Sequence, residues 1–294
     1  MKIIPGPASK NLGEKIAELT SMESIPVTYK IFPDGETYIR LEGALQNEHI
    51  VIVQTTSTPQ DSRIIQLAFM ADAARRNGAK KITAVVPYLA YARQDKMFLQ
   101  GENVSIETVA NMLAAAGVNQ LLTVNIHQQG VLERFPFPAR NISAVPLLAK
   151  YFAEKGLQKP FVLSPDKGAL YIAQQAQELL GGETGYLEKQ RDRYTGQTIQ
   201  TVKGLSVKDQ TVIIFDDIIS TGGTIVGAAK ILKELGAARI YTACVHALLI
   251  NDAEKRILEA GVEEIVGTDS ILSKVSKVSL APLLSREIKA LDCG

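Results

Sequence analysis

A short connector that occurs four times constrains the fold of this chain more than any other feature. Each copy closes a stretch of helical periodicity at a glycine and runs into an apolar strand. The four are Gly78-Ala-Lys-Lys-Ile82, Gly117-Val-Asn-Gln-Leu121, Gly236-Ala-Ala-Arg-Ile240 and Gly261-Val-Glu-Glu-Ile265. Glycine ends a helix by entering the left-handed conformation without a Cβ clash, and a short helix-to-strand loop punctuates a parallel α/β sheet. Two copies fall in each half of the sequence. They predict two similar α/β domains, a duplication, each a mainly parallel sheet flanked by helices. The length of 294 residues, long for one core, agrees. The boundary is expected near Ala144, with residues 1–143 and 144–281 as the domains. Residues 282–294, helical from Pro282 to Leu291, are free to pack on either.

In the first half, strands are expected at Lys2 to Ile4, Val27 to Ile31, His49 to Gln54, Ile82 to Val86 and Leu121 to Val124. Helices are expected at Ser9 to Leu19, Asp61 to Asn77 and Ser105 to Ala116. The second half repeats the theme from Phe161, with added strands at Thr184 to Leu187 and Thr198 to Val202.

The stretch Thr211 to Leu235 carries the strongest chemical signal. Val212 to Phe215 is an apolar, β-branched run that reads as a buried strand, followed by Asp216 and Asp217. Ser220-Thr221-Gly222-Gly223-Thr224 then forms a small-residue turn. Ile225, Ala228, Leu232 and Leu235 recur beyond it at helical spacing. This order places an anion site at a helix N-terminus, where backbone N–H groups and the helix dipole favour phosphate. The glycines permit close approach, and the three hydroxyls can donate. Carboxylates beside a phosphate cradle would repel a polyanion, so they suit sugar hydroxyls instead, as in dinucleotide folds. A sugar phosphate is the ligand this pattern implies. The simpler alternative, an Asp pair that merely caps a helix, leaves three hydroxyls and two glycines without a role.

Other stretches are weaker alone. Pro87 to Lys96 (PYLAYARQDK) follows a strand at a sheet's carboxyl edge, where Arg93 offers a planar fork and Gln94 an amide. On these residues alone a solvated loop is the simpler reading. Phe32-Pro-Asp-Gly-Glu36 is a turn between two strand-like runs. A plain hairpin accounts for it, while Asp34 and Glu36 beside an aromatic ring equally suit an adenine amino edge. His127 and Asp166 each end a strand, and a lone His or a turn Asp is more often structural. Leu187 to Gly196 joins two expected strands and reads as a charged hairpin, or as a lid carrying Lys189 and Arg191.

Composition narrows the classes. A formal net charge of +1 with 21% charged residues gives no support to a nucleic-acid face. Two cysteines, Cys244 and Cys293, argue against a disulfide framework. No signal-peptide region or membrane-spanning apolar run is present, so a soluble cytoplasmic protein without a membrane partner is expected.

Taken together, FPDGE, PYLAYARQDK, a His at a strand end, SPDKG, a Lys-x-Arg loop and DDIISTGGT occur in the order seen in one enzyme family. The chain resembles ribose-phosphate diphosphokinases (PRPP synthases), and its Thr211 to Leu235 stretch resembles the PRPP loop of the type I phosphoribosyltransferase fold. The resemblance implies transfer of a diphosphoryl group from MgATP to ribose 5-phosphate, giving PRPP and AMP. It implies ATP binding by Phe32, Asp34, Gly35 and Glu36, supplied by a neighbouring subunit of at least a homodimer, and by Arg93 and Gln94. It further implies Mg²⁺ at His127 and Asp166, and Lys189 and Arg191 as a catalytic lid pair. Ribose 5-phosphate would meet Arg191, Asp216, Asp217, Ser220, Thr221, Gly222, Gly223 and Thr224. The chain departs from the commoner bacterial pattern at Asn125, where an acidic residue is usual, and at Ser220, where Asp is frequent. Met97 to Gly101 also lacks the bacterial basic character. These features resemble the archaeal branch. Two rival readings are a phosphoribosyltransferase that consumes PRPP and a catalytically silent regulator on the same fold.

Overall fold

The computed structural model describes residues 1–191, 198–201 and 206–291, without the side chains of 189–191 and 198–201. The chain divides into two compact units, Met1–Ser143 with the segment from Ser279 onward, and Ala144–Val278.

The first unit runs β1 (Lys2–Pro5), α1 (Lys10–Thr20), β2 (Glu23–Ser24), β3 (Val27–Ile31), β4 (Thr37–Leu41), β5 (His49–Val53), α2 (Gln60–Arg76), β6 (Lys81–Val86), α3 (Ser105–Ala116), β7 (Gln120–Val124) and β8 (Ala139–Ile142). The second runs α4 (Val145–Glu154), β9 (Phe161–Ser164), α5 (Leu170–Leu180), β10 (Thr184–Tyr186), β11 (Glu188–Arg191), β12 (Thr198–Thr201), β13 (Thr211–Ile219), α6 (Gly223–Glu234), β14 (Arg239–Ala247), α7 (Ala253–Glu259), β15 (Glu264–Thr268) and β16 (Ser276–Val278). A last helix, α8 (Ala281–Ala290), returns to the first unit and packs on α1. There Lys289 Nζ donates to Leu19 O at 2.9 Å and Arg140 pairs with Glu287 at 3.1 Å.

Each unit is built on a six-stranded parallel sheet, in the orders β2-β1-β5-β6-β7-β8 and β10-β9-β13-β14-β15-β16. The strand orders are identical once renumbered. Each unit also carries a two-stranded antiparallel ribbon between its second and third strands in sequence that join the sheet, β3-β4 and β11-β12. All four connector glycines have left-handed φ, at 81°, 108°, 79° and 98° in chain order. The connectors also fix the correspondence between the copies. Ile82 pairs with Ile50 in the first sheet, and Ile240 pairs with Val212 in the second.

Central strands are buried on both faces, which explains their continuous apolar runs: Ile50 to Val53 and Val212 to Phe215 are all fully buried. In the second unit one face of the sheet packs Phe152 of α4 edge-on against Phe215 and Tyr241, with ring centroids 6.1 and 5.9 Å away. The other face buries Val212, Ile214 and Ile240 under Ile225, Ala228 and Leu232 of α6. That packing sets the helix start directly beyond the strand's carboxyl end. Among the described residues no helix is long and apolar enough to cross a membrane.

Two sequence expectations change here. β13 does not stop at Phe215: it runs to Ile219, because β14 continues beside it as far as Ala247, so Asp216 and Asp217 lie inside the strand. The charged segment after Leu187 does pair with the strand at Thr198–Thr201, but through Glu188–Arg191 and not through the expected strand Thr184 to Leu187. β10 pairs with β9 in the main sheet, and Glu188–Arg191 forms a strand of the separate ribbon, Arg191 facing Thr198.

Candidate active site

The carboxyl-terminal half of β13 carries two carboxyls toward the carboxyl edge of the second sheet. Asp217 is 7% exposed and Asp216 partly buried. Local backbone holds them: Asp217 N–H donates to Asp216 Oδ1 at 2.9 Å, and Ile218 N–H donates to Asp217 Oδ1 at 2.8 Å. Burial first, then the neighbouring Asp217 and next Asp166, hold the Asp216 carboxyl well above the usual carboxylate range. Two acids in so little water are stabilised by hydroxyl donors or by a cation, so the arrangement suits a polyhydroxy ligand.

Beyond the acids, Ser220 to Gly222 turn into α6. Gly222 sits at φ 74° as the residue before the helix, and Gly223 is its first residue. A Cβ at Gly222 would lie 2.9 Å from Ile257 Cδ1, whereas one at Gly223 would meet nothing within 4 Å. One glycine is required by the backbone and the packing of α7. The other leaves an open, exposed space at a helix N-terminus.

Asp166 stands in the loop between β9 and α5, its Oδ1 accepting from Gly168 N–H at 2.9 Å and Ala169 N–H at 3.2 Å. It caps that turn and also adds charge near Asp216. The sequence reading had no part for Tyr171. It lies in the first turn of α5, and its phenol is pushed up by burial and then by Asp217 and Asp216. Its signal was position: it follows SPDKG at the point where a helix must begin.

In the first unit, the Phe32–Glu36 turn joins β3 to β4 and is exposed throughout. Phe32 N–H donates to Glu36 O at 2.8 Å, and Glu36 N–H donates to Asp34 Oδ1 at 3.2 Å. Gly35 supplies the left-handed residue at φ 94°. Phe32 and Tyr38 meet edge-on at 6.1 Å, with Lys30 Nζ 4.7 Å from each ring centroid. Arg93 and Gln94 lie after β6, with Gln94 Nε2 facing Glu102 at 3.4 Å. The described contacts do not join this loop to the Phe32–Glu36 turn. His127 is exposed just beyond β7, after Asn125, which is buried and adopts φ 39°. Among the described residues no three His, Cys, Asp or Glu side chains cluster tightly enough to hold a metal ion by themselves.

Residues 1–117 match the family described as the N-terminal domain of ribose phosphate pyrophosphokinase, and residues 138–277 match the phosphoribosyl transferase domain. A ribose-phosphate pyrophosphokinase from Methanobrevibacter smithii is 42% identical over 297 residues, covering 98% of this chain and 99% of that protein. The chain belongs to the ribose-phosphate pyrophosphokinase family. A second member, from Saccharolobus solfataricus, is 41% identical over 92% of this chain and 93% of its own length. The crystal structure of phosphoribosylpyrophosphate synthetase from Mycobacterium smegmatis superposes with a TM-score of 0.90 at 29% identity, covering 100% of this chain and 99% of that one.

In this chain the backbone of Lys189 and Arg191 lies in β11, while their side chains fall outside the described residues. The register places Gln54 and Thr55 of the first unit where the second has Asp216 and Asp217. Gln54 is tied inward, with Nε2 donating to Gln66 Oε1 at 3.0 Å and Oε1 accepting from Ala8 N–H at 3.0 Å. The acid pair is thus a property of one copy.

Proposed function

We propose that the chain transfers the β,γ-diphosphoryl group of MgATP intact to the C1 hydroxyl of ribose 5-phosphate, giving PRPP and AMP. The observation that carries this reading is the near-full-length match to the family together with an acid pair beside a glycine-bearing helix start. The turn Ser220 to Thr224 receives the 5-phosphate on backbone N–H groups and hydroxyls, and Asp216 and Asp217 receive the ribose hydroxyls. Phe32, Asp34, Gly35 and Glu36, contributed by a neighbouring copy in at least a homodimer, and Arg93 and Gln94 hold the nucleotide.

A phosphoryl transfer of this kind needs little covalent work from the protein, so positioning and charge stabilisation dominate. Lys189 and Arg191 close over the transferring group, where cations stabilise the transition state more than the ground state. The donor chemistry fits Mg²⁺: carboxylate oxygens with substrate phosphates and water suit a hard ion that rarely has an all-protein cage. His127 and Asp166 would help hold it, and when bound it offsets charge developing on the phosphate oxygens. The reaction is placed in the cytoplasm, in keeping with a chain of only two cysteines.

The test is AMP release from ATP and ribose 5-phosphate with no nucleobase present, with the sugar product weighed by mass spectrometry. AMP with a singly diphosphorylated pentose phosphate supports the reading. AMP release independent of the sugar, or turnover only with PRPP and a base, overturns it.

A further inference from the structure

We infer that the segment from Leu248 to Arg256 is a backing that keeps the Ser220–Gly222 turn in its anion-accepting form, with Arg256 a positioning residue for ribose 5-phosphate. This rests on the sugar-phosphate reading above. Three successive carbonyls of the turn are tied to that segment. Leu248 and Leu249 N–H donate to Ile219 O at 3.0 and 3.1 Å, and Ile250 N–H donates to Ser220 O at 3.1 Å. Arg256 Nη2 donates to Thr221 O. In a planar trans peptide the C=O and the following N–H point to opposite sides. Fixing the carbonyls of Ile219, Ser220 and Thr221 on the backing therefore turns the N–H groups of Ser220, Thr221 and Gly222 away from it. Together with the N–H groups at the start of α6 they form a nest for an anion.

The backing has the marks of a built device. Leu249, Asn251 and Asp252 adopt φ of 45°, 53° and 56°, a region that residues with a Cβ seldom enter. Strain of this kind persists where the surroundings over-determine it, and it clusters at functional sites. Here it carries Ile250 N–H to Ser220 O and leads into α7, on which Gly222 is seated. Arg256 is exposed, so core packing does not explain its orientation.

The need for a clamp follows from Gly222. A residue without Cβ tolerates either sign of φ, so the Thr221–Gly222 peptide can rotate as a unit. Rotated, it would present a carbonyl oxygen to the phosphate instead of an N–H. The guanidinium on Thr221 O opposes that rotation with a charge-assisted hydrogen bond.

The test compares Arg256→Ala, Arg256→Met and Arg256→Lys with the wild type by calorimetric titration with ribose 5-phosphate and by steady-state kinetics. Arg256→Ala and Arg256→Met should weaken ribose 5-phosphate binding and raise its KM by about tenfold or more, the loss of one charge-assisted hydrogen bond. The KM for ATP should stay within about twofold and kcat within about threefold, because ground state and transition state lose the same contact. Arg256→Lys, which keeps a cationic donor, should recover most of the affinity. Arg256→Met keeps the aliphatic stem and covers the case in which the alanine variant is unstable. A folded Arg256→Met protein that binds ribose 5-phosphate like the wild type overturns the inference, as does an equal rise in both KM values. A wild type that does not bind ribose 5-phosphate would instead end the sugar-phosphate reading itself.

Discussion

Gly222 and Gly223 are chain neighbours, yet alanine at each should have opposite consequences for stability. At Gly222 the backbone has φ 74°, where an L side chain costs ~1–2 kcal/mol. The added methyl would also stand 2.9 Å from Ile257 Cδ1, 3.2 Å from Ile257 Cγ1 and 3.3 Å from Ala253 Cβ. Ile257 and Ala253 are both fully buried and cannot swing into solvent, so the core must yield at ~1–3 kcal/mol. Reduced freedom of the unfolded chain offsets ~0.4–1 kcal/mol. Gly222→Ala should therefore lose about 1–5 kcal/mol, the sum of these terms. At Gly223 the methyl enters open space in the first turn of α6, so Gly223→Ala should be neutral or gain up to ~1 kcal/mol. That same open space is where the phosphate is proposed to sit, so Gly223→Ala should weaken ribose 5-phosphate binding while leaving the fold intact. Urea unfolding followed by circular dichroism gives the stabilities, and calorimetric titration gives the binding. A Gly222→Ala protein within ~0.5 kcal/mol of wild type, the spread of an ordinary surface change, would refute the turn geometry.

Asp216→Asn removes a carboxyl that the folded state holds high. A raised folded pKa means that ionisation costs stability as pH climbs above the usual carboxylate value of ~3.9. The variant should accordingly melt above wild type at pH 8, lose that advantage near pH 4, and turn over poorly; equal melting at pH 8 would count against the burial argument. Phe152→Ala deletes a fully buried ring that touches Phe215 and Tyr241, and should destabilise the second unit by ~3–5 kcal/mol in chemical denaturation. Lys189→Ala should raise the barrier by ~2–4 kcal/mol with little change in ribose 5-phosphate affinity, measured by kcat against a binding titration; unchanged turnover would remove Lys189 from the lid.

Much of this architecture was legible because it is written in backbone requirements. The left-handed glycine in each connector left a mark that composition does not blur, and it announced both sheets. The turn before α6 was legible for the same reason. The extent of β13 was not. Asp216 and Asp217 look like strand terminators locally, and only the length of β14 alongside keeps the ladder going to Ile219. α8 reads as an amphipathic helix with no preference of its own, and its docking on α1 is decided by tertiary contacts such as Lys289 to Leu19. Arg256 and Tyr171 escaped because their meaning lies in what they face, a carbonyl and a pair of carboxyls, and sequence spacing does not encode it.

The matched strand orders show one architecture in both units, and the units differ at the carboxyl ends of β5 and β13. Where the second copy has Asp216 and Asp217, the first has Gln54, whose amide is already spoken for by Gln66 and Ala8. Its cradle is stoppered from within. Asp at 54 and 55 would not by itself open it, since α2 begins at Gln60 behind Pro59 where α6 begins with paired glycines. The two units thus end the same scaffold differently, one in an amide that has its own partners and the other in an acid pair ahead of a glycine-started helix.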